Sequence, residues 1–92
     1  MIKTFKYKGL ERFFLVGERR LLDAQQIDRI ERMLDALNNA SDISDLLVPS
    51  YKLHKLSGDR AGVWSMKVSG NWRLTFRFEN GHAYDVDLED YH

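Results

Sequence analysis

The period of the apolar and polar positions changes once along the chain, from helical in the first half to alternating in the second. "IKTFKY" alternates around Ile2, Phe5 and Tyr7 and predicts a short N-terminal strand. "GLERFFLVG", bounded by Gly9 and Gly17, predicts a short helix. A longer helix follows, with Ile27, Ile30, Leu34 and Leu37 on one stripe and Asp28, Glu31, Arg32 and Asp35 on the other face. Asp23 is placed to cap it, and Gln26, three positions on, completes a capping-box pattern. Asn38, Asn39 and Ser41 end the helix, and a connector runs to Pro49.

From Tyr51 onward the chain predicts strands. "YKLHKL" is a short one, "GDRAG" is a turn, and "VWSMKVSGNWRLTFRFENGHAYDVDLEDY" alternates with breaks at Gly70 and Asn71 and at Asn80 and Gly81. A two-residue turn at the second break sets Phe76 opposite Asp85 and mixes the two faces of the hairpin. A three-residue loop of Glu79, Asn80 and Gly81 avoids this, pairing Phe78 with His82, Phe76 with Tyr84, Leu74 with Val86 and Trp72 with Leu88. One face is then apolar and packs on the helices. The other carries Arg73 across from Asp87 and Thr75 across from Asp85, with Arg77 near them. His54, in step with Lys52, falls on the same outward face as Arg73. The expected fold is α+β: an N-terminal strand, two helices, then a C-terminal antiparallel meander, with the helices on one face of the sheet.

Length and composition sharpen this picture. Ninety-two residues make one domain spanning 1–92, with room for one small core. There is no cysteine, so disulfides and thiolate metal sites are excluded. No apolar run approaches the roughly 18–20 residues of a membrane span, and the N-terminus lacks the apolar region of a signal peptide, which predicts a soluble, cytoplasmic protein. The net charge is zero, but residues 46–78 hold six basic residues against one acid, and the acids gather at 23–45 and 79–90. Such a polarised chain presents a basic face that attracts phosphate over a Debye length of about 8–10 Å.

Candidate chemistry rests on few residues. The three histidines, His54, His82 and His92, match no familiar metal-ligand spacing, and His82 reads as an ordinary residue beside a turn. Ser57 and Ser65 lack the strand-turn-helix setting of a nucleophile, and "GDRAG" is followed by neither a helix nor a lysine-serine pair, so it is not a phosphate loop. What remains is a basic sheet face and a closing "EDYH" of two acids, a phenol and an imidazole. It is either an idle tail or part of a site.

The element order, together with "YKLH", "GDR", "NWR" and the closing "DYH", resembles the HigB toxins of the RelE/ParE superfamily over the full length. The resemblance implies a toxin of a type II toxin–antitoxin system: a ribosome-dependent, metal-independent messenger RNA endoribonuclease that needs no cofactor. Its implied partners are a HigA-like helix-turn-helix antitoxin, the ribosomal A site with its message, and operator DNA through the antitoxin complex. Carried across, the catalytic positions are His54, Arg73, Asp90, Tyr91 and His92. Metal-free cleavage uses the ribose 2′-hydroxyl as nucleophile, so it needs a base, an acid for the departing 5′-oxygen and a cation for the phosphoryl charge. Imidazoles suit the proton transfers, and a guanidinium suits the third task. Base and acid lie among His54, Asp90 and His92. Asp90 acts as a base or orients a histidine, and Tyr91 stacks on a base or binds phosphate. Lys52, Lys55, Arg60 and Arg77 are expected to bind RNA. Some relatives carry a lysine where this chain has Ser57, and Lys55 is the nearest substitute, although a regular strand points it to the other face. Two other readings stay open: a ParE-like gyrase poison without ribonuclease activity, and a regulatory partner active only in an antitoxin–operator complex.

Overall fold

The computed structural model describes residues 1–91. Helix α1 (Lys8–Val16) buries Leu10 and Phe13 and stops at Gly17, whose left-handed backbone (φ 74°) lets its own N–H reach the Phe13 carbonyl and the Glu18 N–H reach that of Arg12. Helix α2 (Ile27–Asn39) buries Ile27, Ile30, Met33, Leu34 and Leu37, the expected stripe with Met33 added. Its start differs from the capping-box expectation. Asp23 accepts from the Gln25 N–H and opens a 3-10 turn, Ala24–Gln26. Gln26 turns inward instead of back to the cap, donating to the Ser69 hydroxyl at 2.9 Å. A buried amide is better satisfied by a tertiary partner than by an exposed cap.

Four antiparallel strands follow in the order β1 (His54–Lys55), β2 (Val63–Ser69), β3 (Trp72–Glu79) and β4 (His82–Asp90). One face packs Met66, Val68, Leu74, Phe76, Ala83 and Val86 against the two helices. The other face, with Lys67, Arg73, Thr75, Asp87 and Glu89, carries no helix. "YKLHKL" yields a strand of only two residues, because Tyr51 ends a 3-10 turn (Pro49–Tyr51) and Lys52 takes a left-handed backbone, φ 46°. Arg29 of α2 holds that turn. Its Nη2 donates to the carbonyls of Ser50 (2.8 Å) and Lys67 (2.9 Å), and the guanidinium lies 5.5 Å from the Tyr51 ring centroid.

The hairpin register corrects the sequence reading. Glu79 pairs with His82 around a two-residue turn in which Asn80 and Gly81 both have positive φ (52° and 79°). Phe78 therefore stands opposite Ala83, and Arg77 opposite Tyr84. The mixing of faces is avoided farther along by a bulge: Thr75 pairs with Asp87, so Phe76 faces two residues, Asp85 and Val86. Asp85 takes the left-handed conformation (φ 55°) and its N–H goes to the Thr4 hydroxyl at 2.8 Å. Beyond the bulge Leu74 meets Leu88, Arg73 meets Glu89 and Trp72 meets Asp90. The same bulge interrupts the expected N-terminal strand, which survives as two parallel bridges, Ile2 to Ala83 and Phe5 to Val86.

Candidate active site

The helix-free face of the sheet gathers polar residues at the end of β4. Glu89 lies at the centre. Both of its oxygens are taken by Arg60, with Nη1 to Oε1 at 2.7 Å and Nη2 to Oε2 at 2.5 Å, and the Thr75 hydroxyl also donates to Oε2. Arg60 reaches this position because the 3-10 turn Gly58–Arg60 folds over the sheet after β1. Under that lid Thr75 and Ser65 are buried, although no helix covers them. The Arg60 guanidinium holds the Glu89 carboxylate below the usual range against the opposing effect of burial, and the Thr75 hydroxyl adds to it.

Tyr91 continues from this cluster. Its N–H donates to the Asn71 carbonyl at 2.8 Å, so the chain is tied to the β2–β3 turn at this point. The phenol oxygen is 3.5 Å from Arg60 Nη1, and the Arg73 guanidinium lies 5.9 Å from the ring centroid. Arg73 donates to the carbonyls of Gly70 (2.8 Å) and Trp72 (3.1 Å). Its cross-strand neighbour is Glu89, not the expected Asp87. Beside the cluster a polar pocket of about 200 Å³ is lined by Lys6, Asp59, Arg60, Thr75, Arg77 and Asp85, among others.

The remaining expected residues divide between the faces. His54 pairs with Ser65, which pairs with Thr75, so it shares the Arg73 face; it is exposed, with Nδ1 3.3 Å from the Lys52 carbonyl oxygen. With strands roughly 4.8 Å apart, it lies about 10 Å across the sheet from β3. Lys52 is exposed just after the 3-10 turn Pro49–Tyr51, two residues before β1. Arg77 is exposed, with Nε 3.8 Å from Asp85 Oδ2. Lys55 pairs with Trp64 and places its ammonium 5.7 Å from that ring, on the other face, so it does not stand in for a lysine at Ser57. Asp90 pairs with Trp72 and lines a groove with Asp23, Gln26 and Ser69, on the helix side of β4. His92 lies outside the described residues. Sequence reasoning noted Glu89 within the closing "EDYH" but gave it no role, and it gave none to Thr75. Strict alternation through "DLEDY" would have set Glu89 and Tyr91 on one face and Asp90 on the other.

A family model described as the RelE-like toxin of the type II toxin–antitoxin system HigB matches residues 3–92. The chain belongs to the HigB-like toxins. Endoribonuclease HigB of Proteus vulgaris is 50% identical over 92 residues, the whole of both chains. Toxin HigB-1 of Vibrio cholerae is 32% identical over 91 residues, covering 97% of this chain and 96% of its own. Among solved structures, the YoeB–YefM complex from Staphylococcus aureus contains a chain that superposes with a TM-score of 0.65 at 18% identity, covering 100% of this chain and 95% of that one. That likeness concerns the fold, a pair of helices on an antiparallel sheet. As a HigB-like protein the chain is the toxin of a type II toxin–antitoxin pair, and its partner is an antitoxin. Among the described residues no helix is long and apolar enough to cross a membrane.

Proposed function

We propose that this toxin is an endoribonuclease that cleaves messenger RNA on the ribosome without a metal ion. The observation that carries the reading is the meeting of Arg73 and Tyr91 on the sheet face away from α1 and α2 that also holds His54. The name borne by the Proteus vulgaris relative supports the reaction class. In the reaction, a base removes the proton of a ribose 2′-hydroxyl, and the oxygen attacks the adjacent phosphorus. The bond to the 5′-oxygen breaks, an acid protonates that oxygen, and a cyclic phosphate remains on the other fragment. Arg73 supplies the cation for the developing charge on the phosphoryl oxygens. Tyr91, stacked by Arg73, offers a ring face to a base or its hydroxyl to a phosphate. His54 is the proton-transfer group on this face. Asp90 and His92 flank Tyr91 in sequence: His92 is proposed as the second proton-transfer group, and Asp90, which the register sets on the helix side of β4, as an orienting residue rather than the base.

So small a surface holds little RNA in line by itself, whereas the ribosomal A site presents an ordered message, and orientation alone is worth several kcal/mol. Lys52 and Arg77 are proposed to contact the RNA backbone. A HigA-like helix-turn-helix antitoxin is the proposed partner, and operator DNA is reached through that complex. The test is induced expression with mapping of message ends, alongside cleavage of one message free and ribosome-bound. Growth arrest with cuts inside codons, and much slower cutting of free RNA, is expected. Equal rates on both substrates would overturn the ribosome requirement, and arrest with intact messages and inhibited gyrase would replace the reaction by a ParE-like one.

A further inference from the structure

Arg73 and Glu89 are direct cross-strand neighbours, and opposite charges in that relation ordinarily pair, their Cβ atoms standing about 4.5–5.5 Å apart. They do not pair here. Glu89 is occupied on both oxygens by Arg60 and a second time on Oε2 by Thr75. Arg73 instead directs one nitrogen, Nη1, to two backbone carbonyls and lies over Tyr91. Carbonyls are neutral acceptors, so they fix the guanidinium without cancelling its charge as a carboxylate would. The same Arg60 nitrogen that holds Oε1 also lies 3.5 Å from the Tyr91 hydroxyl. Arg60 is thus engaged on two sides by protein groups and is poorly placed to be a simple backbone contact for RNA.

We propose that Arg60 is a positioning residue: by holding both oxygens of Glu89 it keeps that carboxylate off Arg73, leaving the charge of Arg73 for the phosphate. A consequence follows that no plain structural or RNA-contact role shares. Without Arg60, Glu89 is released as an anion one strand from Arg73 and captures it. Removing the charge of Glu89 as well frees Arg73 again. The damage done by Arg60→Ala is therefore relieved by a second substitution that deletes still more of the network, a coupling between neighbours that additivity does not predict.

The inference rests on the proposed ribonuclease reading, so two measurements are made in parallel on wild type, Arg60→Ala and Arg60→Ala/Glu89→Gln. One is the single-turnover rate on ribosome-bound message. The other is the affinity for a ribosome-bound message carrying a 2′-deoxy sugar at the cut position, which needs no cleavage. Both are corrected for the folded fraction from thermal melts. Arg60→Ala is expected to slow cleavage by about tenfold or more, mainly in kcat, and to weaken binding less. The double variant is expected to return to within about threefold of wild type in both. A double variant as slow and as weak as the single, or worse, overturns the proposal. If wild type binds but does not cleave, the reaction fails by itself, and the order of the three affinities still decides the role of Arg60.

Discussion

Replacing Arg29 by Ala tests whether the histidine-bearing edge of the sheet is held from the helix layer. Arg29 Nη2 bonds the Ser50 and Lys67 carbonyls at 2.8 and 2.9 Å, and the guanidinium lies over Tyr51. Hydrogen bonds from a charged group are worth about 1.5–3 kcal/mol each, the bond to Ser50 falling at the low end because it is exposed. The ring contact adds about 0.5–1 kcal/mol. Against this, Arg29 Nε is buried without a hydrogen-bond partner among the described residues, and its removal returns part of the loss. The net expectation is a destabilisation of about 2–3 kcal/mol, or roughly 10–20 °C in Tm for a domain of this size. Because β1 has only two paired residues, the turn that Arg29 grips also sets where His54 stands. Cleavage per folded molecule should therefore fall too, by about threefold or more, since small misplacements of a reacting group are costly. Arg29→Lys, which cannot bridge both carbonyls and stack, should lose about half the stability. Thermal melts and ribosome-bound cleavage read the two effects. A Tm within about 2 °C of wild type would refute the energetic argument. A large fall in Tm with an unchanged rate per folded molecule would detach His54 from Arg29.

Three other outcomes are expected. Glu89 has its carboxyl pKa depressed in the folded state below the ordinary 4.5, first by Arg60, so its contribution is complete above that value and is lost as pH falls through the lower folded value. Melts between about pH 6 and pH 3 should show wild type losing Tm below about pH 4.5 and Glu89→Gln losing less over the same window; parallel curves would contradict this. Asp85→Val, a β-branched residue at positive φ, should cost about 1–2 kcal/mol by denaturant titration whereas Asp85→Gly should be close to neutral, and equal losses would mean that the backbone conformation is not the cause. Deleting Tyr91 and His92 should abolish growth arrest with a change in Tm of only a few degrees, and continued arrest at full strength would remove them from the proposed site.

The parts of the fold that were legible follow from periodicity. The stripe of α2 and the two-faced meander come directly from spacings of 3.6 and 2, and with them the placing of His54 and Arg73 on one face. Gln26 shows a local signal outvoted by a distant one: its capping position is real in sequence, but Ser69, far along the chain, offers the buried amide a better partner. The bulge left no mark, because Asp85 is an ordinary strand-face residue in the alternation and only its conformation betrays it. From that one omission follows the error in the site, where Arg73 was matched to Asp87 and Glu89 was passed over. Cross-strand partners depend on register, and the register of Arg73 and Glu89 depends on Asp85, four residues back from Glu89 along β4.

The bulge also works as a ruler. The unbulged hairpin with a three-residue loop buries the same faces, so polarity alone does not choose between it and the observed register. The two differ in reach: the first sets Trp72 against Leu88, the second sets it against Asp90. At about 3.3 Å per residue, the tight turn and Asp85 together draw the end of β4 back by roughly 7 Å. That retraction brings Tyr91 level with the β2–β3 turn, where Asn71 and Arg73 receive it, instead of letting it overshoot the sheet. Residues 79–85 make no contact with Tyr91, yet they measure out how much chain arrives there. Substitutions in this stretch that leave the core intact are therefore the ones to watch for toxins that fold normally and have lost their working end.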